Sequence, residues 1–425
     1  MTFAKSFCSS PWFHMQITAN GQYQYCRWAK PDKLGSADQH PLTYFQNSMS
    51  SVRDQLLQGQ LPSSCSECTT METYGKVSGR QRQLLKTGIT DLHFEKTLIS
   101  SPFFDNFAYS QQAHGHTDLK PVDWQVHLGN FCNSACVFCS PDASSRLAQE
   151  QLKLKLITQL PPRSWCDDPI QIDRFISTIE STTNLAYMHF IGGETLITPA
   201  FKVILQRLIA AGVGSRISIG FTTNLTVWQP DVLELLDQFK EVNLGMSIEC
   251  MDSVNDYVRW PSVINSVTDT LHQWIDHGRS RNWIMTLRVT PTCLSVGRLL
   301  SVYQFAYQNK LGVESCNFLE DPAHMRIGVL PKHYRQAVAH EFNQWIQSCE
   351  QESTATVINT RDPSVVKSYL LQDAASYISY LTAAQDETER LPELIRYLKQ
   401  IESTRSNCVL DYLPEYEELF RSAGY

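Results

Sequence analysis

The sequence predicts an α/β protein in which a partial (β/α)6 TIM-like barrel lies between a cysteine-rich front section and a helical tail. Three observations predict this fold class. In the middle of the chain, short apolar runs of strand length alternate with helical stretches, a pattern typical of a parallel sheet with right-handed crossovers. The front of the chain combines cysteines with turn residues and aromatic strands. The end of the chain shows helical patterns.

The chain divides into three predicted sections, which are residues 1–118, 119–330 and 331–425. In the front section, two runs at 13–18 and 22–25 flank Asn20-Gly21 and predict a β-hairpin. Asn-Gly supplies the positive φ angles of a two-residue type I′ turn, so this is the turn we expect. The stretch 105–120 is polar and irregular, which predicts a linker before the barrel.

Six strands and several helices are predicted for the barrel and the tail. The strands are expected at 125–128, 186–191, 217–222, 242–248, 284–289 and 314–319. The helices are expected at 173–181, 201–211 and 230–239 in the barrel, and at 333–350, 363–372 and 391–401 in the tail. Six such units form an open barrel, in which chemistry is expected at the carboxyl ends of the strands.

Composition excludes several classes of protein. A net charge of −7 argues against a nucleic-acid-binding protein that depends on phosphate contacts. No apolar run approaches the roughly 20 residues that span a bilayer, and the N-terminus lacks the apolar core of a signal peptide. Thirteen cysteines in a chain without an export signal indicate metal or cluster ligation rather than disulfides. We therefore expect a cytoplasmic protein.

Three cysteines with C-x3-C-x2-C spacing, Cys132, Cys136 and Cys139, follow the first predicted barrel strand. A [4Fe–4S] cluster has four iron corners and usually takes four thiolates, so three thiolates leave one iron open. Zinc sites prefer ligands in two paired arms, and a disulfide would leave one of the three thiols over. The spacing therefore favours a cluster with an open corner, while zinc remains the alternative.

This motif, with Phe138 directly before the last cysteine, resembles the cluster loop of radical S-adenosylmethionine (SAM) enzymes. The resemblance implies that the methionine end of SAM chelates the fourth iron and that the backbone around Phe138 contacts the adenine. It also implies a one-electron donor such as flavodoxin or ferredoxin. Reductive cleavage of SAM would then give methionine and a 5′-deoxyadenosyl radical that abstracts a hydrogen atom from a substrate.

Polar and small residues close the second and third strands. Gly192-Gly193-Glu194 resembles the family motif that binds the SAM amino group, although Thr195 stands where many members have proline. The alternative is an ordinary strand-ending turn. Asn224 ends the third strand, where the resemblance implies a contact to the SAM ribose or carboxylate; a polar strand end is equally consistent.

The fourth strand and the segment after it also resemble the family. Ser247 is the candidate ribose contact, and Arg259 is the candidate partner of the SAM carboxylate, with a surface arginine as the alternative. Glu249-Cys250 stands where the family has Asp-Gly, which leaves the roles of both residues open. Most of the scattered cysteines are expected to be small buried apolar residues, with a role at the presumed active face as the alternative for Cys250. The scattered cysteines are Cys166, Cys250, Cys293, Cys316, Cys349 and Cys408.

The front section holds a second complete set of thiols, Cys8, Cys26, Cys65 and Cys68. Their C-x12-G-x4-C and C-x2-C spacing resembles the SPASM or twitch auxiliary-cluster arrangement, here placed before the barrel. This resemblance implies a second [4Fe–4S] cluster, while a zinc site fits the same spacing. Four further residues match N-terminal sections of twitch-containing radical SAM proteins: Glu72, Gly75, Ser78 and Arg80.

The resulting hypothesis is an enzyme that cleaves SAM reductively and abstracts hydrogen from a peptide or protein side chain. The first alternative is a radical SAM enzyme that acts on a sugar or a small metabolite. The second is a non-enzymatic iron–sulfur or zinc protein, such as an electron carrier or a scaffold. Gly192-Gly193-Glu194 argues against the carrier, because a carrier needs no SAM pocket.

Overall fold

One sheet of eight strands organises the protein. The computed structural model describes residues 5–29, 35, 40–86, 89–90, 93–94, 101–315, 318–351 and 363–425. The strands are β1 (His14–Ile17), β2 (Tyr23–Gln24), β3 (Ile89–Thr90), β4 (His93–Phe94), β5 (Asp123–His127), β6 (Tyr187–Ile191), β7 (Ser218–Thr223), β8 (Glu241–Ser247), β9 (Ile284–Val289) and β10 (Gly312–Ser315). The order across the sheet is β10-β9-β8-β7-β6-β5-β1-β2, and β3 and β4 form a separate pair.

Strands β5 to β10 are all parallel and lie in chain order, which confirms the six predicted strands and the open barrel. Each observed strand overlaps its predicted range. The last strand begins before the predicted range 314–319, of which residues 316 and 317 lie outside the described residues. The carboxyl ends of these strands form one edge, where the cysteine loop after β5 and the glycine pair after β6 meet.

The front hairpin is confirmed, but its predicted type I′ turn is wrong. The Thr18 N–H donates to the Gln22 carbonyl (2.8 Å), which leaves three residues in the loop, and Gly21 has the positive φ of 81° there. A three-residue hairpin loop typically ends in such a left-handed glycine. The hairpin also joins the barrel sheet, because β1 pairs in parallel with β5 and aligns Met15 with Trp124. The boundaries of the three sections stay a prediction.

Helices cover the outer face of the sheet and form the tail. In the front they are α1 (Pro41–Thr43), α2 (Ser50–Leu57), α3 (Ser66–Thr73), α4 (Gly79–Lys86) and α5 (Ser101–Gln112). Those of the barrel are α6 (Ser145–Lys153), α7 (Pro169–Glu180), α8 (Pro199–Ala210), α9 (Pro230–Leu236), α10 (Val254–Val258), α11 (Ile264–Ser280) and α12 (Leu299–Gln308). In the tail they are α13 (Lys332–Gln351), α14 (Pro363–Ala383), α15 (Leu391–Glu402), α16 (Val409–Tyr412) and α17 (Glu417–Ser422). All six predicted helices are confirmed.

The predicted linker at 105–120 is wrong over its first half, which belongs to α5. Phe107 of this helix is fully buried against Phe7 and Trp12, and the Trp12 indole N–H donates to the Ser110 hydroxyl (3.0 Å). These contacts come from residues about a hundred positions away. They stabilise a helical segment whose residues 105–112 are mostly polar, because tertiary packing overrides local propensity.

The two faces of the sheet differ in chemistry. On the outer face, Trp124 packs against Phe175 of α7, and Phe221 packs against Trp274 of α11, in edge-on ring contacts. On the inner face, the same strands present polar side chains that line internal cavities, among them Gln125, Tyr187, His189, Thr222, Ser247, Arg288 and Glu314. The barrel interior is therefore a polar cavity and not the packed apolar core of a closed barrel.

Candidate active site

The three cysteines after β5 lie close together at the carboxyl edge of the sheet. Burial and the neighbouring Cys136 thiol raise the pKa of Cys132 to about 12, and burial, Cys136 and Cys132 raise the pKa of Cys139 above its usual range. The Ser134 N–H points at the Cys132 sulfur, 3.4 Å away. Buried thiols that disfavour one another's ionisation are suited to bind a positively charged metal centre, because the metal charge stabilises the thiolates. The chemistry of these three thiols, rather than their present arrangement, suits a [4Fe–4S] cluster with one open corner.

The segment between α10 and α11 holds one side of the cysteine loop. The Ala135 N–H donates to the Trp260 carbonyl (2.7 Å), and the Val137 N–H donates to the Val258 carbonyl (2.9 Å). These two bonds fix the backbone on either side of Cys136. The loop therefore has a defined shape set by the protein itself.

The helical tail holds the other side of the loop. The buried guanidinium of Arg405 donates to the Ala135 carbonyl (2.8 Å) and pairs with Glu150 (2.6 Å). The Tyr397 hydroxyl donates to the Val137 carbonyl (3.1 Å). Sequence reasoning did not find these residues, because nothing near them in the chain marks a site. Their role follows from a contact over some 270 positions.

The glycine pair after β6 packs directly against the cysteine loop. The Gly193 N–H donates to the Gly129 carbonyl (2.8 Å), and the Glu194 N–H donates to the Phe131 carbonyl (2.8 Å). A Cβ atom on Gly193 would lie 2.2 Å from the Phe131 oxygen, well inside contact distance. The absence of a side chain at these glycines thus allows the backbone of the cysteine loop to pack closely against them. Gly192 also lines the cavity beside it.

Glu194 joins the ends of two strands. Its buried carboxylate accepts hydrogen bonds from the backbone N–H groups of Leu196 (3.1 Å) and Asn224 (2.5 Å). Burial raises the pKa of this carboxyl to about 7, although the two amide donors oppose the shift. These contacts support the strand-ending alternative, while the contact to the SAM amino group stays a prediction.

Asn224 connects the end of β7 to the cysteine loop. Its amide nitrogen donates to the Asn133 side-chain oxygen (2.8 Å) and to the Ser134 hydroxyl (3.0 Å). Its side-chain oxygen accepts from the Thr226 N–H (3.0 Å). Asn224 therefore binds the cysteine loop and also lines the adjoining cavity.

A cavity of about 370 Å³ opens over the carboxyl ends of the strands. Five of the seven predicted cofactor-binding residues line it: Gly192, Gly193, Asn224, Ser247 and Arg259. Phe138 is half-buried beside the cysteines, and Glu194 is buried behind the glycine pair. The structure thus brings together residues from the ends of β6, β7 and β8, and Arg259 from the end of α10, around one space.

Arg259 and Glu249 form a buried ion pair in the wall of this cavity. The Arg259 Nη1 lies 2.9 Å from the Glu249 Oε1, and the Glu249 Oε2 accepts from the Thr290 N–H (2.7 Å). Burial raises the pKa of Glu249, whereas the Arg259 charge lowers it. Arg259 is 8% exposed, so the surface alternative is wrong. Glu249, whose role the sequence left open, therefore positions Arg259.

The scattered cysteines behave as buried small residues where they are described. Cys166, Cys250, Cys293 and Cys349 are buried, and Cys408 is half-buried. Cys316 lies outside the described residues. Cys250 is fully enclosed in the apolar core.

The four front cysteines also converge. Cys8, Cys26, Cys65 and Cys68 line one cavity. Burial, with smaller effects of Cys68 and Cys65, raises the pKa of Cys26 to about 12. The set therefore has the four thiols of a complete cluster or of a zinc site.

Three of the additional motif residues lie next to these cysteines. The Arg80 guanidinium pairs with the Glu72 carboxylate (2.5 Å), and the Ser78 hydroxyl donates to the same carboxylate (2.5 Å). Arg80 also donates to the Phe7 carbonyl (3.1 Å), directly before Cys8. This network positions the first cysteine against α3 and α4.

No group of three or more His, Cys, Asp or Glu side chains among the described residues is arranged to hold a metal ion as it stands. Among the same residues, no helix has the length and apolar character needed to cross a membrane.

Comparison with known families assigns the central part of the chain. Residues 126–289 match the family profile described as the Radical SAM superfamily. This span forms a radical SAM domain. It contains the three cysteines and all seven predicted cofactor-binding residues. No curated protein matches the sequence.

Solved structures resemble this protein at low similarity. Streptococcus suis SuiB bound to precursor peptide SuiA is 12% identical with a TM-score of 0.37, covering 68% of this chain and 62% of SuiB. SuiB bound to S-adenosylmethionine is 13% identical with a TM-score of 0.39, covering 82% and 71%. Native anSMEcpe with bound AdoMet is 13% identical with a TM-score of 0.39, covering 54% and 62%. The chain thus spans less than two thirds of the SuiB chain in the peptide complex, and similarity at this level carries no substrate over.

Proposed function

We propose that the protein cleaves SAM reductively and uses the radical for hydrogen abstraction from a substrate held inside the barrel. One observation carries this proposal. Gly192, Asn224 and Ser247 at the ends of β6, β7 and β8 surround one cavity of about 370 Å³ together with Arg259. The three-cysteine loop packs against Gly193, which lines the same cavity. When bound, a [4Fe–4S] cluster and SAM supply the electron and the 5′-deoxyadenosyl radical.

The candidate site residues each have a defined part in this proposal. Cys132, Cys136 and Cys139 hold the cluster, and the backbone near Phe138 contacts the adenine. Arg259 presents a cation to the SAM carboxylate, in a direction fixed by its 2.9 Å bond to Glu249. Ser247 offers a hydroxyl to the ribose from the inner face of β8.

The front section and the barrel enclose the reaction space between them. Trp28 and Arg27 of the front section line the same cavity as the strand ends. Such a cover shields a reactive radical from water. We propose a peptide or protein side chain as the substrate, with a sugar or a small metabolite as the alternative. A flavodoxin or ferredoxin in the cytoplasm would supply the electron.

We also propose a second [4Fe–4S] cluster at the four front cysteines. Their cavity adjoins the barrel interior, because Cys26 and Trp28 line both spaces. A zinc ion at the same thiols is the alternative, and metal analysis separates the two.

Iron analysis and SAM cleavage test the proposal together. Anaerobically reconstituted protein is expected to bind about eight irons, in two clusters of four. Replacing Cys132, Cys136 and Cys139 with alanine should remove half of the iron and all formation of 5′-deoxyadenosine with dithionite as reductant. Cys408→Ala, which changes a cysteine outside both sets, is the control and should keep both. Formation of 5′-deoxyadenosine by the triple variant would contradict the proposal.

The front cysteines need a separate experiment. Replacing Cys8, Cys26, Cys65 and Cys68 with alanine should remove the other half of the iron, while SAM binding stays measurable. One zinc and four irons in the wild-type protein would show that the front section is a zinc-stabilised fold.

A further inference from the structure

A second cavity, of about 250 Å³, lies deeper in the barrel. It is lined by the inner faces of β5, β6, β9 and β10 and by residues of the front section. Arg27, Trp28, Gln125 and Arg288 line both this cavity and the one at the strand ends. The two cavities are therefore neighbours inside the barrel, and the deeper one extends toward the front cysteines.

Three arginines converge on a single carboxylate in this deeper cavity. Glu314 on β10 lies 2.9 Å from Arg82, 2.9 Å from Arg288 and 3.2 Å from Arg27. Burial alone would raise the pKa of Glu314, but the three guanidinium charges hold it well below its usual range. One arginine would neutralise this carboxylate. The surplus cations are largely withdrawn from water, with side chains only 13–25% exposed.

Among the described residues that line the cavity, one further carboxylate offsets this surplus. Asp123 is the second carboxylate in the lining, and its oxygen lies 3.2 Å from the His14 ring nitrogen. Burial, with the charges of Arg288 and Arg27, lowers the pKa of His189 well below its usual range, so this ring is neutral. Among the described lining residues, three guanidinium groups thus face two carboxylates. An excess of partly buried positive charge in a cavity favours binding of an external anion.

The inner face of the sheet makes room for these side chains. A Cβ atom on Gly245 would lie 2.1 Å from the Arg288 Nε, and a Cβ atom on Gly220 would lie 2.1 Å from the Tyr187 hydroxyl. Glycines on β7 and β8 therefore allow Arg288 and Tyr187 to lie across the strands. On the front side, the Arg27 guanidinium lies 4.0 Å from the centre of the Trp28 ring, which orients it.

We propose that Arg27, Arg82 and Arg288 form a subsite for an oxyanion of the substrate, either a carboxylate or a phosphate. The planar guanidinium group suits both, since it donates parallel hydrogen bonds to two oxygens. The inference rests on the proposed function, because it assigns the deeper cavity to the same substrate. The anionic group then anchors the substrate deep in the barrel, and the rest of it extends toward Ser247 and Arg259.

Direct anion binding tests the subsite without knowledge of the whole substrate. The reconstituted full-length protein is titrated by calorimetry with inorganic phosphate and, separately, with succinate, at matched ionic strength. Binding is expected for at least one of them, and their comparison distinguishes phosphate from carboxylate. Arg82→Gln should weaken this binding about tenfold or more, because one charge-assisted contact is lost. Arg207→Gln is the control: this arginine pairs with Asp173 on the outer surface at 2.8 Å, and its loss should change nothing.

A second variant separates a subsite from a structural cross-link. Glu314→Gln removes the internal anion, so phosphate or succinate should bind more tightly and should raise the melting temperature of this variant more than that of the wild type. Anion affinity that is unchanged in both Arg82→Gln and Glu314→Gln, or absent in the wild type, would overturn the subsite. The same proteins are assayed for 5′-deoxyadenosine, so that loss of the subsite with retained SAM cleavage leaves the proposed function standing. Failure of SAM cleavage in the wild type overturns that function instead.

Discussion

Glu249 holds the guanidinium of Arg259 at 2.9 Å in the wall of the cavity beside the three cysteines. Both side chains are almost fully withdrawn from water. A buried cation next to thiolates stabilises their negative charge, and the thiols Cys136 and Cys132 in turn favour the charged form of Arg259. Glu249, one of the two residues that differ from the family pattern, therefore orients this arginine.

Removal of Arg259 should expose the cost of its buried partner. Arg259→Met leaves the Glu249 carboxylate buried with one charge partner fewer, and we expect a loss of about 3–5 kcal/mol in the free energy of unfolding in urea. The double variant Arg259→Met/Glu249→Leu should recover most of that stability. If Arg259 also binds the SAM carboxylate, the double variant folds yet has a lower SAM affinity in equilibrium dialysis. Wild-type SAM affinity in the double variant would restrict Arg259 to a structural role.

Glu194→Gln tests two roles of one carboxylate. Its oxygens accept two backbone N–H groups, and an amide retains one acceptor oxygen, so we expect a stability loss of about 1–3 kcal/mol. A charge-assisted bond to the SAM ammonium would in addition make the loss of SAM affinity about tenfold to a hundredfold. Iron content should stay unchanged. Reduced stability with unaltered SAM affinity would identify Gly192-Gly193-Glu194 as a strand-ending turn.

Gly193→Ala should disturb the cysteine loop. Its new Cβ would meet the Phe131 carbonyl at 2.2 Å, and a backbone atom cannot move aside as a flexible side chain can. We expect a lower iron content after reconstitution and a stability loss of about 1–3 kcal/mol, typical of overpacking. Gly297→Ala is the matched control, because the nearest atom to its Cβ is the Tyr416 hydroxyl at 3.8 Å. Equal iron content in the two variants would count against close packing of the glycine pair on the loop.

Arg405→Met tests whether the tail supports the cysteine loop. The change removes the bond to the Ala135 carbonyl and leaves Glu150 without its buried partner, so we expect about 3–5 kcal/mol of lost stability and slower or incomplete iron uptake. Arg421→Met removes an exposed ion pair with Glu417, which typically contributes less than about 1 kcal/mol. Iron uptake by Arg405→Met at the rate of Arg421→Met would show that the loop does not need the tail.

The sequence predicted the local features well because they depend on short-range patterns. Strand and helix periodicity placed β5 to β9 within two residues at either end, and cysteine spacing marked the loop that the structure folds into one group. Turn chemistry was less reliable, since Asn20-Gly21 indicated a two-residue turn where the chain forms a longer loop.

Features that depend on distant contacts were not predictable from the sequence. The pairing of β1 with β5 joins residues about a hundred positions apart, and no local pattern specifies which strand a hairpin joins. Arg405 and Glu314 lie in segments without a motif, although both make ion pairs that organise a cavity or a loop. Their positions follow from packing of the whole chain, which a single sequence does not display.

His127 at the end of β5 predicts a pH dependence of stability. Burial lowers its pKa from 6.5 to about 4, and its Nδ1 accepts the Gly129 N–H at 3.1 Å, which requires the neutral ring. Between these two values the unfolded chain binds more protons than the folded protein. The stabilisation is therefore complete above pH 6.5 and is lost as the pH falls toward 4.

Because the ring is only half-buried, we expect the free energy of unfolding of the wild type to fall by about 1–2 kcal/mol more than that of His127→Gln between pH 7.5 and 5.0. The glutamine oxygen can accept the same N–H without titrating. If the free energy of unfolding in urea changed equally in the two proteins between the two pH values, His127 would not contribute.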